Sequence, residues 1–129
     1  MAKTEKYTSG MAVRKRVLGE AHVARAEAAT TDLDAHFQEL ITEAAWGHLW
    51  SSDQLSLRER SLITLALLAS QGQDEELIMH VKACQTTGAS DEDIIQAMMH
   101  VAIYCGVPKA NHAIKLIKKT LSEMNTAHE

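Results

Sequence analysis

The run Leu62-Ile63-Thr64-Leu65-Ala66-Leu67-Leu68-Ala69 is apolar on every side of a helix. A helix with no polar face is stable in water only when other elements surround it, so this run predicts the central helix of a bundle. Ser56-Leu57-Arg58-Glu59, directly before it, is a capping box in which the Ser hydroxyl and the Glu carboxylate satisfy backbone amides at a helix start. Gly72 closes the same helix.

The remaining segments supply the surrounding helices. Met11, Val13, Val17 and Leu18 recur at helical spacing over 10–18 until Gly19 breaks the pattern, and 20–28 reads as a second short helix. Thr30, Thr31 and Asp32 offer caps for a third, with Leu33, Phe37, Leu40, Ile41, Ala44 and Ala45 on one side and an end near Gly47. Asp74 caps the next helix, which Gly88 ends at a left-handed position. Ser90-Asp91-Glu92-Asp93 provides a cap and an acidic first turn for a helix to about Cys105. Gly106-Val107-Pro108 then turns into a last helix over 109 to about 124. Pro108 is the one proline, and no stretch alternates as a strand would. The expectation is all-α, a compact bundle of about six to seven helices, with residues 1–129 forming a single domain.

Charge and cysteine usage narrow the function. A formal net charge of −4 argues against a nucleic-acid surface, and the clusters Arg14-Lys15-Arg16 and Lys115, Lys118, Lys119 read as solvated helix faces. No window approaches the roughly 20 apolar residues of a membrane span and the N-terminus lacks an apolar signal region, so a cytoplasmic protein is expected. Cys84 and Cys105 stand in apolar helical context without CxxC spacing, which reads as free thiols in a reducing compartment. Asp32-x-Asp34-x-His36 does not share a helix face and the other histidines are scattered, so no metal is expected.

His80 is the chemically interesting residue. Leu77, His80, Val81 and Cys84 share one helix face, which puts an imidazole into an apolar stripe with Glu76 one turn before it. Burial lowers a histidine's proton affinity and a nearby carboxylate raises it, so the pair suits a proton donor poised near neutral pH. A core histidine satisfied by a backbone carbonyl fits the same spacing. Glu76 equally fits an exposed residue stabilising the helix N-terminus. Trp46 and Trp50, four apart, cover one patch, as a core lid or as the wall of an apolar cleft.

Several segments together resemble the carboxymuconolactone decarboxylase family. They are Arg60-Ser61-Leu62 before the apolar helix, Glu76-x-x-x-His80, Gly88, and Ala102-Ile103-Tyr104-Cys105-Gly106-Val107-Pro108. Further matches are Lys6-Tyr7, Gly10-Met11, Val17-Leu18-Gly19, His22-Val23, Phe37-Gln38-Glu39 and Ala45-Trp46-Gly47 with Trp50, so the resemblance covers nearly the whole chain. The N-terminal matches look like the gamma-carboxymuconolactone decarboxylases of aromatic (protocatechuate) catabolism, within the broader alkylhydroperoxidase D superfamily. The peroxidases of that superfamily use a CxxC pair, a following histidine and an upstream glutamate. Here those cysteine positions hold Gln73 and Glu76, and the glutamate position holds Ser61.

The resemblance implies an alkylhydroperoxidase D-like bundle that assembles as a homo-oligomer, a trimer or hexamer. It implies cofactor-independent decarboxylation of gamma-carboxymuconolactone to the beta-ketoadipate enol-lactone. In that assignment His80 donates the proton or binds the oxyanion, and Glu76 orients it. Arg60 takes a substrate carboxylate, with Arg14 and Arg25 as weaker candidates. Tyr104, Asn111, Trp46 and Trp50 line the pocket. Arg60 also fits a salt bridge at its helix start, and the last four fit core packing.

In the decarboxylase pattern arginines stand at the positions of Glu43, Ser52 and Leu57, and a proline at Asp53, so this chain lacks three of the cations. That departure leaves two alternatives: a less charged lactone or related unsaturated acid as substrate, or a non-enzymatic oligomeric paralogue of the same fold. A thiol-dependent peroxidase requires Cys84 and Cys105 to lie near each other and near His80.

Overall fold

The structure is a computed structural model that describes residues 2–127. The chain divides into two compact units, Met1–Leu55 and Ser56–Glu129. Among the described residues there are seven α-helices and one π-helix and no strand, as the apolar periodicity predicts.

The N-terminal unit holds α1 (Glu5–Leu18), α2 (Glu20–Ala29) and α3 (Ala35–Ile41), the last running on into a π-helix over Thr42–Trp50. Helix α1 starts five residues before the expected position 10, because the Thr4 hydroxyl caps it by accepting the Tyr7 amide at 3.0 Å. The same hydroxyl donates to Glu43 on the π-helix at 2.9 Å, and Lys3 pairs with Glu39 on α3. Gly10 is therefore the buried middle of α1 rather than its start.

The third helix also departs from expectation. It reaches Trp50 instead of ending near Gly47, and its apolar side does not face this unit's interior. Leu33, Phe37 and Leu40 are exposed, whereas Thr42, Trp46 and Trp50, at i, i+4 and i+8, are buried. The cause is the crossing with α1, where glycine meets glycine at backbone distance and selects the side of the π-helix that can approach.

The C-terminal unit is a four-helix arrangement of α4 (Leu57–Ser70), α5 (Asp74–Thr87), α6 (Asp91–Cys105) and α7 (Val107–Ala127). Leu65, Leu77, Val81, Ile94, Met98 and Ile117 form its core. Gly88 ends α5 at φ 91°, ψ 10°, a left-handed conformation that favours glycine. Helix α7 begins at Val107, two residues before the expected start, because Pro108 fits the first turn of a helix. None of the helices of the described residues is long and apolar enough to cross a membrane.

Helix α4 opens with the expected capping box: the Glu59 amide donates to the Ser56 hydroxyl at 3.1 Å, and the Ser56 amide to the Glu59 carboxylate at 2.8 Å. It is not fully surrounded, however. Ser61, Leu65 and Ala69 pack inward, while Ile63 and Leu67 are 50% and 54% exposed. Its neighbours α5, α6 and α7 leave that stripe uncovered within one chain.

A second capping box, Ser90 with Asp93, starts α6, and Asp93 also receives Arg58 of α4 through two guanidinium bonds of 2.7 and 2.8 Å. The Arg58 charge and the Ser90 amide hold the Asp93 carboxyl far below the usual carboxylate range. A depressed folded-state value contributes stability that is complete above the unfolded value of about 4 and is lost as pH falls below it. Asp93→Asn, which keeps a cap acceptor and loses the charge, is expected to melt below the parent at neutral pH. Thermal unfolding followed by circular dichroism at pH 7 and pH 3 checks this, and the gap must narrow at the acid end.

Candidate active site

The buried polar side chains of the C-terminal unit lie on α4 and α5, with Arg60 and Ser61 near the start of α4 and His80, Cys84 and Thr87 along α5. Arg60 and Ser61 occupy the second turn of α4, set by the capping box that fixes where that helix starts. His80, Cys84 and Thr87 repeat at i, i+4 and i+7 on the buried face of α5, and the two helices pack against each other. All five are buried: Ser61 is 0% exposed, Cys84 4%, His80 6%, and Arg60 and Thr87 8% each.

Within this group the Ser61 and Thr87 hydroxyls lie 2.7 Å apart, linking α4 to α5. The Cys84 thiol donates to the His80 carbonyl at 3.3 Å. Burial pushes the Cys84 thiol up, outweighing the Ser61 and Thr87 hydrogen bonds that pull it down. A thiol kept protonated is a poor nucleophile. Cys84 is free and buried, and Cys105 is free and exposed at the end of α6, so neither resembles a redox pair poised for attack.

His80 thus carries an imidazole on the buried face of α5, and Arg60 a buried guanidinium on the adjoining helix. Arginine stays protonated at any physiological pH, so Arg60 brings a permanent positive charge into a low-dielectric region. A cation and a titratable ring on adjacent elements are what binding and then protonating a carboxylate substrate demands.

The other residues named from the sequence are placed differently. Glu76 is exposed in the first turn of α5, among Asp74 and Glu75, one turn before His80. Asn111 is exposed on α7, where the neighbouring Lys109 and His112 bind the Ser70 carbonyl (2.9 Å) and the Asp74 carboxylate (3.0 Å). Tyr104 is 81% exposed on α6, its ring stacked at 6.3 Å on His100. Trp46 and Trp50 are buried in the N-terminal unit with ring centroids 5.1 Å apart. In that unit Arg14 donates to the Thr42 hydroxyl at 3.3 Å, and Arg25 is exposed on α2.

Sequence reasoning passed over Thr87 entirely and treated Ser61 only as an occupied family position. The signal was present in the spacing, since Ser61 shares the Leu65 and Ala69 stripe and Thr87 the His80 and Cys84 stripe. A surface groove of about 580 Å³ lies elsewhere, between α4 and α6, with Leu62, Ile63, Leu67 and Ala97 in its lining. Its lining includes neither His80 nor Arg60. No group of three or more potential metal ligands converges among the described residues.

The model of the "Carboxymuconolactone decarboxylase family" matches residues 35–119, from the start of α3 into α7. The chain is 34% identical over 125 residues to a 4-carboxymuconolactone decarboxylase of Acinetobacter baylyi, covering 97% of this chain and 93% of that protein. It is 37% identical over 118 residues to a nitrosuccinic acid decarboxylase of Metarhizium robertsii, covering 92% and 82%. A 47-residue stretch is 45% identical to a 4-carboxymuconolactone decarboxylase of Pseudomonas putida, covering 36% of this chain and 98% of that sequence.

Proposed function

The chain belongs to the carboxymuconolactone decarboxylase family, and from that premise we propose that it is a cofactor-independent carboxy-lyase acting on gamma-carboxymuconolactone. The observation that carries this reading is the burial of Arg60 and His80 on two helices that pack together. Both similar proteins that span most of the chain bear decarboxylase names.

The reaction needs little beyond a binding cation and a proton donor. The bond between the tertiary ring carbon and its carboxylate breaks and carbon dioxide leaves. The electron pair passes through the ring double bond onto the lactone carbonyl, giving a dienolate. Protonation at ring carbon then yields the enol-lactone, with one proton taken up for each carbon dioxide released. Arg60 holds a carboxylate through its planar fork, and His80 stabilises the growing oxyanion or delivers the proton. An apolar surround such as Leu65, Leu77 and Val81 favours the step, because charge spreads as carbon dioxide departs. Glu76 orients His80 once substrate is bound, and Tyr104 and Asn111 complete the pocket in an assembled homo-oligomer, a trimer or hexamer. The exposed Leu33, Phe37, Ile63, Leu67, Ile103 and Val107 support assembly, since apolar side chains of this size are normally covered.

A second substrate is favoured by the 37% identity to the nitrosuccinic acid decarboxylase and by Glu43, Ser52 and Leu57 standing where arginines are expected. Nitrosuccinic acid is an open-chain dicarboxylic acid whose nitro group takes the electrons of the departing carboxylate as a nitronate. Dienolate and nitronate both place negative charge on oxygen and both await a proton on carbon. One site with one cation and one imidazole serves either chemistry.

The test is carbon dioxide release, with ultraviolet monitoring, from freshly generated gamma-carboxymuconolactone and from nitrosuccinate in parallel. Turnover of the lactone supports the first reading, turnover of nitrosuccinate alone selects the second, and turnover of neither by the folded protein refutes both. Arg60→Lys keeps the charge and loses the bidentate fork. It is expected to raise KM about tenfold or more, the effect of losing roughly 1.4 kcal/mol or more of carboxylate binding, with a smaller change in kcat.

A further inference from the structure

Ser61, Cys84 and Thr87 are each more than nine-tenths buried, and the reaction above uses none of them. They lie beside Leu65, Leu77 and Val81 in the packed interior of α4 and α5, which also holds Arg60 and His80. Apolar helix faces tolerate sliding and rotation, because one packing of methyl groups resembles the next. A buried polar pair does not tolerate it, since a small displacement leaves two hydroxyls without partners in a dry interior. One polar residue in an apolar seam is known to set helix register for this reason.

The positions of these residues connect them to the site. Ser61 follows Arg60 directly, and Thr87 lies on the same face of α5 as Cys84 and His80. The Ser61–Thr87 contact of 2.7 Å therefore ties the turn carrying Arg60 to the end of α5, two turns beyond His80 on the same face. The Cys84 thiol, kept protonated by burial, reaches the His80 backbone through its 3.3 Å bond to the carbonyl.

We infer that Ser61 and Thr87 are positioning residues, a hydroxyl brace that fixes the height of Arg60 on α4 against His80 on α5. The inference rests on the proposed reaction at those two residues. Its physical content is that the brace serves geometry more than stability. Replacing both partners of a buried hydrogen bond with apolar groups of the same shape is nearly neutral for folding. Misplacing catalytic groups by about 1 Å costs about a hundredfold in rate.

The experiment compares Ser61→Ala, Thr87→Val, the double variant and Thr87→Ser in the full chain. Thr87→Val and the double variant are expected to lose about tenfold to a hundredfold in kcat while KM moves less than about threefold. The two single losses must not add in the double variant, because either substitution breaks the same bond. Thr87→Ser, which restores a hydroxyl, must recover most of the rate. A double variant that keeps the parent kcat overturns the inference, as do losses that add. If the parent turns over neither lactone nor nitrosuccinate, the proposed reaction fails and the brace is decided by NMR of the His80 ring. Shifted ring resonances and titration midpoint in Thr87→Val uphold it, and an unchanged ring in that variant refutes it.

Discussion

Replacing His80 with Gln is expected to lower kcat by about two to four orders of magnitude, the usual worth of a positioned proton donor, while the C-terminal unit stays folded. His80 is 6% exposed among Leu77, Val81 and Cys84, so its ring fills core volume and any substitution must replace that volume. Gln is of comparable length and hydrogen-bonds through its amide, but it has no acid–base group to deliver a proton near neutral pH. The substitution therefore separates two roles that the same burial permits. A histidine retained only for packing predicts a lowered melting temperature with turnover per folded molecule unchanged. A catalytic histidine predicts the opposite pattern.

The pH profile sharpens that comparison. If His80 delivers the proton, kcat of the parent falls on the alkaline side as the ring deprotonates, and the residual rate of His80→Gln loses that limb. Steady-state rates from pH 5 to pH 9 in parent and variant provide the measurement. An alkaline limb that persists unchanged in the variant belongs to another group and removes His80 from the proton-transfer step.

What could be read from the sequence was what local chemistry determines. The Ser56/Glu59 box, the Ser90 cap and the left-handed Gly88 depend only on neighbours three or four residues away, and each stands where the spacing predicts. The burial of His80 was legible for the same reason, because Leu77, Val81 and Cys84 mark its face. What failed depends on packing partners. Leu33, Phe37 and Leu40 form a coherent apolar stripe, yet within the chain the opposite side of that helix is the buried one. Ile63 and Leu67 are apolar without being covered, so an all-round apolar helix marks where contact is needed without saying which chain provides it. The Ser61–Thr87 contact escaped notice because short hydroxyl residues in a helix look neutral until a partner 26 positions away is known.

Gly10 and Gly47 illustrate the same dependence at the level of backbone, and substituting either with Ala is expected to destabilise the N-terminal unit by about 1–3 kcal/mol or more, the usual cost of overpacking. Helix propensity alone predicts the reverse, because Ala in place of a mid-helix Gly gains up to about 1 kcal/mol. Sterics decide the sign. A Cβ on Gly10 would meet the Thr42 carbonyl oxygen and lie 2.7 Å from the Gly47 nitrogen, and one on Gly47 would meet the Lys6 carbonyl and lie 3.0 Å from its carbon. The obstructing atoms are backbone, which cannot rotate aside as a side chain does, so α1 and the π-helix must separate. Separation also stretches the Thr4–Glu43 and Lys6–His48 contacts of 2.9 and 3.1 Å that span the same crossing. Both tryptophans of the chain lie on the π-helix, so urea unfolding followed by tryptophan fluorescence reports this unit. Ser9→Ala, at the exposed position directly before Gly10 on α1, serves as the control and must move the midpoint little. Equal midpoints for Gly47→Ala and Ser9→Ala would show that the two helices do not approach at backbone distance.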